Sequence, residues 1–442
     1  MSSATTQPTE RHFLTTREAA FIGVGSMVGA GIFSLLGAAG EVAGAAVWVS
    51  FVLAGGVAAL QGYSFAKLGT KFPSAGGMLE YINRGFGYGH AATITAWLGF
   101  IVNIIVTAMV AVSFGSYASS AFAHNDPLAL KAFAAGLAIV MTILNIAGST
   151  IVARVQSLIV FVVVGILALF AIVTIANWNP SLLAPSGYPS IQHIVSSIAL
   201  TFFAFLGFGV VTFTARDLRE PGRQLPRAVT IAIGLAMAVY VAVSLGVFGT
   251  LTVDQVIAYG PTAIAEAARP VLGDLGFWLM TITALFATTG ATNAGLYPAV
   301  GIGDHLVSTG QFPPVMAVRV AGRASVSLLI AGLTTAVIVL VADLSSIASI
   351  GSAVALAIFA LISIGHLRIR EQTGANLLLL LLAVGTAAIT LITFTFTSLI
   401  QEPAAIAALI GIVVISAILD LAWSRRKPAG AAPAPKAGSA AA

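Results

Sequence analysis

Long apolar runs almost free of charge dominate the chain, and they constrain its fold more than any motif. The run SLIVFVVVGILALFAIV, Ser157–Val173, carries no charged residue and no alternation of polar and apolar positions. A transmembrane β-strand needs about ten alternating residues, so such runs exclude a barrel. In hydrocarbon every backbone polar group must be satisfied within the segment, which leaves helices. A helix needs about 20 apolar residues to cross a core of about 30 Å. Segments of that kind fall at 18–39, 44–69, 90–122, 129–148, 153–176, 191–215, 226–251, 273–305, 322–341, 345–366, 375–397 and 403–423. They predict an all-α polytopic membrane protein of twelve transmembrane helices, with a short helix in the Thr252–Asp274 connection.

Only 8% of the 442 residues are charged, against about a quarter in soluble proteins, which excludes a water-soluble enzyme. No cysteine occurs, so disulfides, thiolate metal sites and cysteine nucleophiles are excluded. Neither a bound metal nor a nucleic-acid partner is indicated. The polar start, MSSATTQPTERHF, has no signal-peptide pattern, so the first span is expected to act as its own insertion signal.

The few charges define a topology. With the N-terminus placed in the cytoplasm, eighteen of the twenty Lys and Arg residues fall in inside loops, and only Lys131 and Arg269 fall outside. Glu41, Asp126, Asp254, Glu266, Asp274, Asp343 and Glu402 share that outer side. Basic residues in short loops set orientation, so both termini are expected to be cytoplasmic. One missed span would have scrambled every later loop. The low-complexity tail KPAGAAPAPKAGSAAA is expected to be disordered.

Two spans are rich in helix-weakening glycine. The first contains Gly25-Ser26-Met27-Val28-Gly29-Ala30-Gly31, and the sixth Phe205-Leu206-Gly207-Phe208-Gly209. Each glycine costs about 1 kcal/mol of helix propensity relative to alanine, although close packing of membrane helices also recruits glycine. Spans one and six correspond if spans 1–5 and 6–10 are two repeats, and five being odd, the second repeat is inverted. Interrupted helices at matching positions of two halves point to a transporter binding site.

Four stretches in order, FIGVGSMVGAGIF, FPSAGGMLEYINRGFG, LNIAGSTIVARVQ and FFAFLGFGVVTFTARDLREPGRQLPRA, resemble the amino acid–polyamine–organocation (APC) superfamily of permeases. The resemblance spans nearly all of residues 15–425. It implies a LeuT-like five-plus-five inverted repeat with two further C-terminal helices, and alternating-access transport of amino acids or related amines. The expected organisation is a disordered cytoplasmic segment 1–15, a transport core 16–370 (repeats about 16–176 and 190–370), helices eleven and twelve in 371–425, and a disordered tail 426–442.

The resemblance also implies a site. A half-helix beginning near Ala30 and Gly31 presents free amides and the positive end of its dipole to a carboxylate. The amides around Gly29, Ala30 and Gly31 are expected to hold the substrate carboxylate, and the carbonyls of Met27, Phe203 and Leu206 its amino group, beside Gly207 and Phe208. Phe203 and Phe208 read either as an aromatic gate or wall of the site or as core or lipid-facing rings among the 25 phenylalanines. No charged residue falls in the middle of a span, where it would be costly and a functional flag. Relatives that handle cations often carry an acidic residue where Gly209 stands, so neutral amino acids are the favoured substrate over a polyamine or cationic amino acid antiporter. Some proton-coupled members carry a lysine near the position of Val163.

Coupling stays open between no bound ion and a sodium site built from carbonyls near Gly25 and Val28 with hydroxyls of Thr288, Thr289 or Thr292. Arg17 and Glu18 are gate candidates opposite Asp217 and Glu220, and Asp304 with His305 is either a gate element or a solvated helix end. Asn103, Thr107 and Asn293 are expected to bond between helices, while Tyr297-Pro298 reads as a kink or as packing. A non-transporting sensor or accessory subunit is the alternative from another class. No HExxH, Walker A or GxSxG pattern supports an integral-membrane enzyme. The expected setting is a bacterial inner membrane with a small-molecule substrate and no cofactor.

Overall fold

The computed structural model describes residues 13–74, 76–147, 150–320 and 324–424. The segments 1–12 and 425–442, expected to be disordered, lie outside the described residues. The described chain is helical apart from one two-stranded ribbon, β1 (Arg319–Val320) paired antiparallel with β2 (Ala324–Ser325).

The helices are α1 (Thr16–Ala30), α2 (Ile32–Ala43), α3 (Val47–Lys71), α4 (Met78–Phe86), α5 (His90–Phe122), α6 (Pro127–Ala147), α7 (Thr150–Ala176), α8 (Ile191–Phe203), α9 (Phe208–Phe213), α10 (Pro221–Phe248), α11 (Val253–Tyr259), α12 (Ala263–Leu296), α13 (Pro298–Ser308), α14 (Val326–Val341), α15 (Leu344–Arg368), α16 (Arg370–Thr373), α17 (Leu377–Thr397) and α18 (Pro403–Ser424). Ten helical stretches among the described residues are long and apolar enough to cross a membrane. The expected short helix in the 252–274 connection is α11, capped by Thr252 and Gln255. Gly273, at φ 64°, kinks α12 where the eighth apolar segment was read to begin.

Capping fixes where the central helix begins. Thr15 Oγ1 accepts from the Glu18 amide at 3.2 Å, and the Thr15 amide donates to Glu18 Oε2 at 2.7 Å, a reciprocal box that satisfies two otherwise orphaned donors. Leu14 and Thr15 fall at the end of the segment 1–15 expected to be disordered, and here Thr15 caps α1. Beyond this cap, Ala19, Ala20 and every residue from Gly23 to Ala30 are buried. α1 packs against α7, α9, α10 and α12 and forms the axis of the bundle. At the periphery, α18 buries only Ala405, Ser416 and Asp420, leaving a wide apolar face suited to lipid.

Candidate functional site

The two glycine-rich segments break their helices and interlock. α1 stops at Ala30 and α2 starts at Ile32, with Gly31 between them at φ −91° and ψ −77°. α8 ends at Phe203, and the chain turns through Ala204–Gly207 before α9. Two glycines let these breaks meet. A Cβ on Gly207 would sit 2.6 Å from the Met27 nitrogen, and one on Gly31 would sit 2.7 Å from the Ala204 Cβ and against the Tyr240 hydroxyl. Tyr240 Oη donates to the Ala204 carbonyl at 2.9 Å, tying the break in the sixth apolar segment to α10.

The hydrogen bonds at the breaks show what is free. The Gly31 amide, read from sequence as a carboxylate donor, instead donates to Met27 O at 2.6 Å. The reason is that α1 stays helical through Ala30, which carries the Gly31 amide back over the Met27 carbonyl, so the ladder runs one residue further. Ser34 and Leu35 then both donate to Gly31 O, at 3.2 and 2.9 Å. Across the site, Leu206 N donates to Phe203 O at 3.2 Å and Gly209 N to Leu206 O at 2.9 Å. The carbonyls of Met27, Phe203 and Leu206 thus each accept one bond, and each retains a second lone pair.

The aromatic residues are committed to packing. Phe203 is wedged against α15, where a Cβ on Gly351 would come within 2.5 Å of its ring. Phe208 packs with Phe65 and Phe359, ring centroids 5.4 and 5.5 Å away. Met27, Phe203 and Phe208 are all buried. Replacing Tyr240 by phenylalanine is expected to cost about 1–2 kcal/mol through the orphaned Ala204 carbonyl; thermal unfolding of the purified protein checks this, and an unchanged midpoint would count against it.

Asparagines at membrane depth join helices, as read from sequence, whereas Thr107 bonds back within α5 rather than across to a neighbour. Asn103 Nδ2 donates to Gly295 O at 2.7 Å, Thr107 Oγ1 to Asn103 O at 2.7 Å, and Asn145 Nδ2 to Asn293 Oδ1 at 2.8 Å. Tyr297 is exposed between α12 and α13, so Tyr297-Pro298 is a kink with its ring turned outward. Gly25 and Val28 line a cavity of about 10 Å³ with Val163, Ala287 and Gly290. Thr288 and Thr292 donate back into α12, to Ala284 O and Thr288 O at 2.6 and 2.8 Å, and Thr289 is half-buried just before Gly290.

One end of the bundle is closed by two connections. The first is backbone: Leu14 N donates to Asp217 O at 2.7 Å in a parallel bridge to Leu218. The loop after α9 thus does meet the start of α1, but not through the side chains read as a gate. Glu18 is spent on its cap, Glu220 lies 3.9 Å from Arg223, and among the described residues no ion pair joins Arg17 or Glu18 to Asp217 or Glu220. The short-range cap satisfies the Glu18 carboxylate at less entropic cost than a bridge between long side chains.

The second connection was not found from the sequence. Glu80 on α4 is buried, 4% exposed at its side chain, and accepts from Arg84 Nε at 2.7 Å, His305 Nε2 at 3.1 Å, Asn83 Nδ2 at 3.3 Å and Tyr88 Oη at 3.3 Å. Asn83 and Gln311 exchange two more bonds, at 3.0 and 2.9 Å. Burial opposes ionisation of Glu80, yet the bonds from His305 and Asn83 and the Arg84 charge hold its carboxyl below the ordinary value. Asp304 turns away to Arg319 at 2.5 Å, so the Asp304–His305 pair divides between surface and core. Within the sequence, only the Glu80–Arg84 spacing hinted at an ion pair, and it reads as a solvated one.

A helical bundle with this many apolar crossings and two broken helices in mutual contact is a multi-pass membrane protein of the transporter class. Residues 14–419 match the family model described as amino acid permease, and the chain belongs to that family. It is 31% identical over 409 residues to the inner membrane transport protein YbaT of Escherichia coli, covering 92% of this chain and 95% of the relative. It is 28% identical over 393 residues to the vacuolar cationic amino acid transporter 2 of Arabidopsis thaliana, covering 81% and 59%. A manganese transporter from Eremococcus coleocola shares the fold at TM-score 0.61 and 13% identity, over 96% of this chain and 98% of that one. The family and these relatives are transporters, not enzymes.

Proposed function

We propose that the protein is a permease for neutral amino acids that works by alternating access, with both termini in the cytoplasm. The observation that carries this reading is the interlocked pair of broken helices without an ionised side chain. Among the described residues the buried carboxylates are Glu80 and Asp420, on α4 and near the end of α18, away from Met27, Phe203 and Leu206. A zwitterion needs no side-chain counter-charge here: amides at the head of α2 take its carboxylate, and the spare lone pairs of the three carbonyls take its ammonium. The Arabidopsis relative's name points to cationic amino acids, but a second substrate cation would be buried without a carboxylate, at a cost of several kcal/mol.

Counting α1 with α2, α8 with α9, and α12 with α13 as interrupted spans, and α14 as a short one, gives twelve crossings. The first ten divide into two sets of five with a break heading each, which supports the inverted repeat. For the coupling ion, the small cavity beside Gly25 and Val28 is walled by valine, isoleucine, phenylalanine, alanine and glycine, and hard cations take several oxygen ligands; the favoured reading is transport without sodium. Uptake and exchange into proteoliposomes, with a panel of amino acids and polyamines, tests all of this. Neutral amino acids are expected to move at rates unchanged when choline replaces sodium. Transport confined to polyamines or cationic amino acids would overturn the substrate class, and an absolute sodium requirement would overturn the coupling.

A further inference from the structure

Outside the broken-helix site, a cavity of about 510 Å³ opens between the end of α5 and the first half of α12. Sites for small ligands span about 300–1,000 Å³. At the other end of α5, His90 pairs with Asp420 near the end of α18, so the cavity lies at the face of the bundle away from the C-terminus.

Local backbone sets both walls. His124 and Asn125, in the turn after α5, adopt left-handed dihedrals at φ 51° and 61°, which these residue types tolerate better than most. Asn125 N donates to Ser119 O at 3.1 Å and Ser119 Oγ to Asp126 O at 2.8 Å, which ties the turn to the helix it ends. On α12 the kink at Gly273 separates Arg269 from Asp274, and the guanidinium spans it. Arg269 Nε donates to Glu266 Oε2 at 2.8 Å and Nη1 to Asp274 Oδ1, while Cζ lies 4.1 Å over the Phe277 ring.

The charges of Glu266, Asp274 and Arg269 do not cancel. Among the described residues Arg269 is the cation within ion-pair distance of both carboxylates. Each carboxylate spends one oxygen on it and keeps the other as an acceptor. Beside them the Trp278 ring is 40% exposed and lines the same cavity. A carboxylate in excess next to an open indole suits an organic ammonium, which gains from the charge and from the ring face together.

The position of Trp278 decides what carries that ammonium. Leu275, Leu279, Ile282 and Phe286 are all exposed, and their helical spacing places them on one face of α12 with Trp278. Phe122, at the end of α5, is also exposed and has its ring centroid 6.0 Å from that of Trp278. An exposed apolar stripe on a membrane-crossing helix faces acyl chains, and a tryptophan at its end marks the level of the headgroups. The cavity therefore opens where a lipid headgroup lies.

We infer that this cavity binds the headgroup of an amine-bearing phospholipid. Glu266 and Asp274 take its ammonium over the Trp278 ring, the Ser120 hydroxyl and the Asn125 amide take its phosphate, and its acyl chains follow the exposed stripe of α12. The carboxylate in excess disfavours an anionic headgroup. A quaternary ammonium fits the ring but has no hydrogen to donate to the carboxylates. The expected order of binding is thus phosphatidylethanolamine, phosphatidylcholine, phosphatidylglycerol. The inference needs a chain embedded in a bilayer and does not rest on the substrate proposed for it.

Native mass spectrometry of the purified full chain, given equal amounts of the three lipids with identical acyl chains, tests it. The parent is expected to retain phosphatidylethanolamine about tenfold over phosphatidylglycerol, the scale of one charge-assisted hydrogen bond. Asp274→Asn removes the charge from a side chain that is 81% exposed, and the ratio is expected to fall to about twofold or less. Glu371→Gln, at an exposed carboxylate on α16, is expected to leave the ratio as in the parent. Should Asp274→Asn misfold, Trp278→Leu, which preserves the apolar stripe and removes the indole, is expected to lower the ratio in its place. Equal retention of the three lipids by the parent, or an undiminished ratio in the variant, would overturn the inference. Free ethanolamine or putrescine added to the same samples separates the sources: either amine bound without any preference among the lipids would assign the cavity to a soluble cation and overturn the lipid site.

Discussion

Gly29→Ala is expected to abolish transport, to below a tenth of the parent rate, while Gly165→Ala leaves it unchanged. Both glycines lie in apolar helices, and propensity alone favours alanine at each by about 1 kcal/mol. Their surroundings differ. A Cβ on Gly29 would press on the Ala287 carbonyl oxygen and lie 2.5 Å from the Ala291 Cβ, whereas one on Gly165 meets nothing within 4 Å. The atoms opposing Gly29 are backbone and a methyl group of α12, with no flexible side chain to swing aside. The substitution therefore forces α1 away from α12, and overpacking of this kind costs about 1–3 kcal/mol. It also displaces the break two residues on, where Gly31 contacts Ala204 and Tyr240. Transport assays on purified, monodisperse protein decide the matter. Full activity in Gly29→Ala would mean that α1 is not clamped against α12, and would remove the basis for placing the site at the break.

Much of the helical pattern was legible because the bilayer imposes it. Apolar length and the scarcity of charge placed the helices, and glycine density placed both breaks, since a run such as Gly29-Ala30-Gly31 weakens a helix wherever it sits. What the one-dimensional pattern did not carry was the partner of each polar group. The Gly31 amide looked free because a break frees amides, but the last helical turn of α1 carries it back to the Met27 carbonyl. Asp217 and Glu220 looked like gate charges because they lie opposite Arg17 and Glu18 in the topology, yet a backbone bridge at Leu14 makes that connection. Glu80 was passed over for the converse reason. In MLEYINRGF it resembles any solvated residue four positions before an arginine, but α4 is buried against α15 and α5, and its partner His305 stands on α13, 225 positions away in the chain.

That distant burial makes Glu80→Ala the most destabilising carboxylate substitution expected here. The carboxylate is the common acceptor for Arg84, His305, Asn83 and Tyr88, and removing one partner of a buried pair typically costs about 3–5 kcal/mol. Arg84 is 32% exposed and turns partly to water, so the lower end, about 3 kcal/mol, is expected. Glu371→Ala, which removes an exposed carboxylate 3.8 Å from Arg370, is the matched control and is expected to change little, about 0–1 kcal/mol. The pH dependence has a definite sign. Because the folded-state value of Glu80 is depressed, its contribution is complete above the ordinary carboxylate value of 4.5 and is lost as pH falls through the lower folded value. The stability gap between the parent and Glu80→Ala should thus be constant near neutrality and narrow below pH 4.5. Thermal unfolding across pH measures it, and Glu80→Ala/Arg84→Ala closes the cycle: coupled residues give a double loss smaller than the sum of the singles. Additive losses, or a gap that persists undiminished in acid, would show that the carboxylate is not the common acceptor of this cluster.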